Sequence, residues 1–478
     1  MSPKAKRRLL LTAIVLLVLI GLIWWSRSGP SELDRYKAQL LAQGEILDLD
    51  QLAPIRTGNE PDGDLPLQSA VRQFTNSLVL QVGQCFPTRQ TNNLLRVEWL
   101  NHPKATNQTQ RAALWTQAEA EIENRRADFQ LLHTAMQNPP AEKGADFRKF
   151  YSGYPNGNYV QRRTVAQLLS QAVTVDAHAR RRGEAATNML TLLDMCEHLR
   201  EEWSLVNQMI RVAITGLSLE TFHYGLDTHT WDEPQLAHFQ TRFESLSLLT
   251  NLHQTLLYER ALHVQMFSNL RHSIHPNTNV VRSPASMMQD KVMTLLWDMD
   301  EDEYTLLKVS QDRLDLYRRG LATSNWAGVP AQFRAISDAA HQDPPSWRNG
   351  YKRWMSSIMI NQLEKALQTL FKAENTRLQT TTAIAIERHR LKHGHYPNAL
   401  ADLIPDYLSQ IPHDPMDGRP MRYRLNTDGS FTLWSVGFDG KDDGGDPTMP
   451  DPKKQSFPQD ARDLLWPRLD PIDLPPKQ

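Results

Sequence analysis

The sequence predicts a mainly α protein with an N-terminal transmembrane helix, an α-helical body built from helix hairpins, and a C-terminal α+β module in which a long helix lies on a small antiparallel sheet. Three observations carry this. They are an unbroken apolar run from Leu9 to Trp25, apolar residues recurring at helical spacing through most of the chain, and a strand–turn–strand pattern after a helix that stops at Gly394. The corresponding domains are 1–28, a basic flank and signal anchor; 29–345, a helical domain; 346–450, the α+β module; and 451–478, a proline-rich tail.

The apolar run is about the minimum length that spans a bilayer, follows Lys4, Lys6, Arg7 and Arg8, and closes with Trp24 and Trp25 at the interface position. Only Arg27 follows closely, so the positive-inside rule leaves the N-terminus in the cytoplasm. The expectation is a single-pass protein of the bacterial inner membrane, anchored through residues 9–25, with the bulk of the chain periplasmic. A cleaved signal peptide shares the basic flank and apolar core. Ser26-Arg27-Ser28-Gly29 is a poor cleavage site, which favours an uncleaved anchor, and no cysteine follows the run to carry a lipid.

About 450 residues follow, more than one core usually organises. Lys and Arg total 53 against 54 Asp and Glu, which leaves no electrostatic footprint for nucleic acid. Cys85 and Cys196 either form one bridge or stay as two buried thiols; sequence does not show whether their Cα atoms approach.

In the helical body, Val165, Leu168, Leu169 and Ala172 repeat at helical spacing, and after an Arg180-Arg181-Arg182-Gly183 corner so do Ala186, Met189, Leu190 and Leu193. That pattern is a helix hairpin. Leu205, Val206, Met209, Ile210, Ala213, Gly216 and Leu217 mark the apolar face of a third helix, and Asp232 with Pro234 opens the next. Residues 179–199 have a tetratricopeptide look, but no second copy supports an array. Further helices are expected over 234–270 and 286–321, with loops at Pro276–Asn279 and His341–Pro345. A long helix over 357–392 leads into the module. Asn426-Thr427-Asp428-Gly429, between Tyr423 and Phe431, is a hairpin turn because Gly429 accepts positive φ.

The acidic run Asp298, Asp300, Glu301, Asp302 and Glu303 reads as a solvated helix face. Arg180 to Arg182 end a helix where cations favour the negative dipole end, or grip an anionic envelope polymer. His389 and His393 stand at i and i+4, with His395 just beyond, a spacing that can bind zinc. Without a His-Glu-x-x-His pattern they read as polar capping residues. His272-Ser273-Ile274-His275 has a His-x-x-His form in a loop, but nearby carboxylates are missing. Neither a Gly-x-Ser-x-Gly elbow, a Walker loop, a dinucleotide fingerprint nor a Cys-His-Asn constellation stands in recognisable context.

The loop Asp439-Gly440-Lys441-Asp442-Asp443-Gly444-Gly445-Asp446 holds four carboxylates in eight residues. They repel one another unless a hard cation sits among them, and calcium accepts such oxygen ligands in loose geometry. The other reading is a solvated acidic turn. Upstream stand Gly394-His395-Tyr396-Pro397 at the helix end, Pro412-His413-Asp414-Pro415 with Gly418 and Pro420, and Ser435-Val436-Gly437-Phe438-Asp439-Gly440 after a strand. This series, over about residues 357 to 450, resembles the C-terminal half of the major pseudopilin of type II secretion, general secretion pathway protein G. The resemblance implies a long helix on a small sheet and a structural calcium ion, with the Val436 carbonyl and the Asp439 side chain as ligands. It leaves Asp442, Asp443 and Asp446 as further candidates. The family's N-terminal leader and Phe-Thr-Leu-x-Glu helix have no counterpart here, so filament assembly is not expected. A helical body joined to this module is also similar to envelope proteins of planctomycetes and verrucomicrobia.

The function expected from these readings is a membrane-tethered, non-enzymatic scaffold of the bacterial envelope. Its helical body would bind a protein or peptide partner, its module would be calcium-stiffened, and the resemblance suggests a link to secretion. The alternative is a hydrolase or lyase acting on envelope polymer in the helical body. A deep pocket with convergent carboxylates or histidines favours the enzyme; a shallow apolar groove favours the scaffold.

Overall fold

The computed structural model describes residues 30–52, 89–91, 94–96, 107–137, 159–200, 203–274, 297–341, 353–446 and 462–469. The expected anchor 9–25, Cys85, His275, the Pro276–Asn279 loop and most of the tail lie outside these residues. Among the described residues no helix is long and apolar enough to cross a membrane.

The chain is mainly helical. The α-helices are α1 Glu32–Ala42, α2 Leu49–Leu52, α3 Gln108–Glu123, α4 Arg126–Gln137, α5 Tyr159–His178, α6 Arg182–His198, α7 Leu205–Asp227, α8 Glu233–Ser245, α9 Leu252–Ile274, α10 Met299–Thr323, α11 Val329–Ala340 and α12 Trp354–His393. Strands β1 Arg89–Thr91, β2 Leu94–Arg96 and β6 Arg468–Leu469 form one small sheet. Strands β3 Arg422–Leu425, β4 Phe431–Ser435 and β5 Leu464–Leu465 form another, which is antiparallel throughout. The single helix expected over 234–270 is two, α8 and α9, and α11 was not foreseen.

Two compact units emerge, and they do not follow chain order. The first comprises residues up to Leu52, Arg260–Asp312 and Ser337–Asn361. Its α1 begins with a capping box: the Asp34 amide donates to the Ser31 hydroxyl and the Ser31 amide to the Asp34 carboxylate. Leu33, Leu40, Leu47 and Leu307 form a small core, with Tyr36, Val264 and Tyr304 against it. Charge satisfaction supplements this core. Asp302 is fully buried and accepts from Trp297 Nε1 at 2.7 Å and from the Met355 and Ser356 amides at 3.0 and 2.8 Å, which caps the first turn of α12. Glu303, 1% exposed, pairs with Lys37 and Arg271. The acidic run is therefore not a solvated face as a whole: Asp298 and Asp300 are exposed, but its last two carboxylates are interior.

The second unit holds Ala53–Glu259, Arg313–Ile336 and Gln362–Gln478. Helices α5 and α6 form the expected hairpin, with Val165, Leu169, Ala172, Met189 and Leu193 fully buried. Arg180 takes the left-handed conformation at the corner (φ +60°), and the Arg181 amide returns to the Asp176 carbonyl at 2.8 Å, a helix-ending pattern. Buried Asp176 locks the corner by accepting from Arg126, Arg181 and Asn188. So Arg181, one of the triple arginine, is committed to an internal ion pair.

Helix α7 packs on α5 and α6 but turns the other way from expectation. Val206 is 51% exposed and Ile210 and Leu217 only partly buried, whereas Asn207, Gln208, Arg211, Thr215 and Ser218 are buried. The reason is the C-terminus of α6, whose last carbonyls need donors. Gln208 Nε2 donates to the Leu199 carbonyl at 3.2 Å and Arg211 Nε to that of Cys196 at 3.0 Å, so a polar face enters the interior. Cys196 is a buried free thiol.

The helix-on-sheet unit forms at the C-terminal side. Ala383, Ile384, Ala385 and Ile386 of α12 are fully buried in one core with Leu403 and Leu433. Helix α12 ends at His393, and Gly394 supplies the left-handed residue (φ +81°). The β3–β4 hairpin pairs Leu425 with Phe431, and Gly429 (φ +79°) turns it. Residues 462–469, expected as an extended tail, instead give one strand to each sheet: Leu465 pairs with Trp434, and Leu94 pairs in parallel with Arg468. Trp466 is buried, donates its amide to the Leu433 carbonyl and lies 3.7 Å, ring centre to ring centre, from His223. Burial pushes the His223 imidazole down to about 3.

Candidate functional site

The second unit contains a cleft of about 360 Å³, within the range of small ligand sites. Its floor is built by α12, which presents Glu374, Arg377 and Thr381 on successive turns, and by Asp414 from the turn before β3. Trp326, Pro412, Pro415 and Leu408 line its sides, and the exposed Ser324, Asn325, Ser409, Gln410 and His413 form its rim.

Each buried charge on that floor already has its partners. Arg377 grips Glu374 through two bonds of 3.0 and 2.7 Å and gives a third to the Phe243 carbonyl at 2.8 Å. Glu374 also accepts from the Leu248 amide at 2.9 Å, so the pair fastens the end of α8 and the loop after it. Asp414 is fully buried and accepts from the Met416 and Val436 amides, the Ser435 hydroxyl and Arg422, all at 2.9 Å. Burial pushes its carboxyl up, against the opposing pull of those donors. Close packing sets the turn: a Cβ on Gly418 would stand 2.7 Å from that of Ala327. Glu244, also lining the cleft, accepts from Gln240. The result is a cleft with apolar sides and a hydrogen-bonding rim over a floor whose buried charges are internally paired.

The five residues expected to bind calcium lie in one loop after β4, and the carboxylates of Asp439, Asp442 and Asp446 each have a different partner. Val436 is buried, with its amide on Asp414. Asp439 folds onto the Lys441 amide at 3.0 Å. Asp442 accepts from Trp434 Nε1 at 3.0 Å and from the Gly444 amide at 3.1 Å, and faces Arg422 at 3.4 Å. Asp443 takes part through its amide, which points to Asp463 at 3.4 Å, and Asp446 pairs with Arg462 at 3.0 Å. Among the described residues no three His, Cys, Asp or Glu side chains converge as a metal site. As they stand, these carboxylates serve local amides, Trp434, Arg422 and Arg462, whereas a calcium ion takes six to eight oxygens on one centre.

What orders the loop is Asp463, 1% exposed, whose carboxylate accepts from the Gly445 and Asp446 amides at 2.7 and 3.0 Å. Sequence reasoning missed Asp463, Arg462 and Arg422. The one local sign was the apolar triplet Leu464-Leu465-Trp466 in a proline-rich segment, which marks a buried strand. Of the histidines, His272 bonds the Ser268 carbonyl, whereas His389, His393 and His395 gather at the end of α12. Comparison with family models, curated proteins and solved structures found no match to the chain.

Proposed function

We propose that this chain is a non-enzymatic interaction protein of the bacterial envelope, tethered to the inner membrane by residues 9–25. Its cleft takes a short peptide segment of an envelope protein. The observation that carries this reading is the state of the cleft floor: Glu374, Arg377 and Asp414 are spent on internal bonds, while the exposed rim keeps hydroxyl, amide and imidazole groups beside Trp326. Such a rim suits backbone amides and one apolar side chain of an extended peptide. The order of long helix, Gly394 stop and β3–β4 hairpin supports a pseudopilin-like origin for the C-terminal module, and with it a link to secretion.

The test is site-specific photo-crosslinking in membranes carrying the full-length chain. A probe at Gln410 is expected to capture one discrete envelope protein. A probe at exposed Glu184 should not, and Asn325→Trp, which fills the mouth of the cleft, should abolish the product. Equal capture at both positions would contradict docking at the cleft. Turnover of envelope polymer that His413→Ala or Glu244→Gln removes would support the hydrolase or lyase instead.

A further inference from the structure

Three imidazoles meet where α12 ends. His389 and His393, one turn apart, have ring centres 4.3 Å apart, and His395, beyond the Gly394 turn, stands 5.6 Å from His389 and 6.3 Å from His393. Two histidines bound through nitrogens about 2.0–2.1 Å from one tetrahedral zinc ion have ring centres about 5 Å apart, so these distances bracket the bound geometry. The left-handed conformation of Gly394 (φ +81°) brings His395 back beside the helix.

The outer bonds of the rings also suit a metal. His389 Nδ1 lies 3.1 Å from the His395 carbonyl and His395 Nδ1 lies 2.9 Å from the Tyr396 carbonyl, contacts that place the proton on Nδ1 and leave Nε2 as the lone-pair donor. His389 is 6% exposed, so its ring is held in place by the surrounding packing. The cations of the same turns are each matched: Arg388 by Glu233 at 2.8 Å, Arg390 by Glu387 at 2.6 Å and Lys392 by Asp406 at 3.6 Å. A divalent ion therefore meets little net positive charge. The ring nitrogens do not converge as the side chains stand. His393 and His395 are exposed, and closing the shell requires both rings to turn about their side-chain bonds, His395 loosening its Tyr396 contact as it does so.

We propose that His389, His393 and His395 bind one divalent transition-metal ion of the imidazole-preferring class, zinc foremost, with water completing the coordination. The ion would staple the last turn of α12 to the His395–Pro397 segment.

The test uses the purified full-length chain, stripped with chelator and titrated with Zn2+ by calorimetry, and with Co2+ by visible absorption. One equivalent of Zn2+ and the intense Co2+ bands of a tetrahedral site are expected. His393→Gln or His395→Gln alone should weaken binding at least about ten-fold, as lost metal-site contacts do, and the double variant should abolish it. Both positions are exposed, so unchanged thermal unfolding of the metal-free variants confirms that folding is intact. His272→Gln serves as the control and should bind like the parent. Absence of saturable binding, or binding unchanged in the double variant, would overturn the site.

Discussion

Two acidic strings, Asp298–Glu303 in the first unit and Asp439–Asp446 in the second, look alike in sequence and meet different fates. In the first, Asp302 and Glu303 are interior and hold a helix start, Lys37 and Arg271. In the second, the loop carboxylates stay near the surface, bound to Arg422, Arg462 and local amides, and the buried anchor is Asp463, outside the string. Charge density along a chain says how much neutralisation is needed. It does not say who supplies it, because the donors come from other segments. Burial then decides the cost of losing them: in a dry interior an orphaned charge is expensive, and at the surface water takes its place.

The largest effect expected from this contrast follows replacement of both Lys37 and Arg271 by methionine, which strands Glu303. Stability in denaturant titration should fall by about 3–5 kcal/mol. A near-zero change would mean that water reaches Glu303 and that the two strings are equivalent. Acid gives a second comparison. Burial holds His178 down to about 4 and His223 down to about 3, both below the ordinary 6.5. The unfolded chain therefore takes up their protons first, so the stability these two confer is complete above pH 6.5 and lost as pH falls toward 4. About 2.5 kcal/mol per histidine should go by pH 4.5, offset in part by Glu259, whose carboxyl is pushed by burial up to about 7 so that acid favours its folded form. His223→Gln should flatten the slope.

Smaller again is Asp463→Ala, which leaves the amides of the acidic loop unanchored. It should cost about 1–3 kcal/mol and speed hydrogen exchange at Gly445 and Asp446. Asp442→Asn and Asp446→Asn, at the surface, should each change stability by less than about 1 kcal/mol. If they cost as much as the Glu303 partners, the loop carboxylates share a tightly held centre after all.

Local sequence made some elements plain and hid others, for identifiable reasons. The α5–α6 hairpin, the Gly394 stop and the Gly429 turn are local events, written in apolar spacing and in glycines that accept positive φ. The orientation of α7 was misread because apolar periodicity assumes that polar residues face water. Gln208 and Arg211 instead serve the orphan carbonyls of the preceding helix. The break between α8 and α9 is fastened by Glu374 and Arg377, more than a hundred residues away in sequence, so no window around residue 247 could reveal it. The same distance hid Asp463. The residues of the acidic loop were legible as a special segment, but their partners, and so their chemistry, were not. The cleft, assembled from four separated stretches of chain, left no local trace.

The most direct test of internal neutralisation is thermal unfolding of the full-length protein, first stripped of transition metals, in millimolar calcium and in excess chelator. A ligand that binds only the native state must raise the melting temperature. If arginines, Trp434 and backbone amides already satisfy the acidic loop, the two melting temperatures coincide. A saturable rise with calcium, abolished by Asp442→Asn together with Asp446→Asn, would show that those carboxylates gather around an ion and would contradict it.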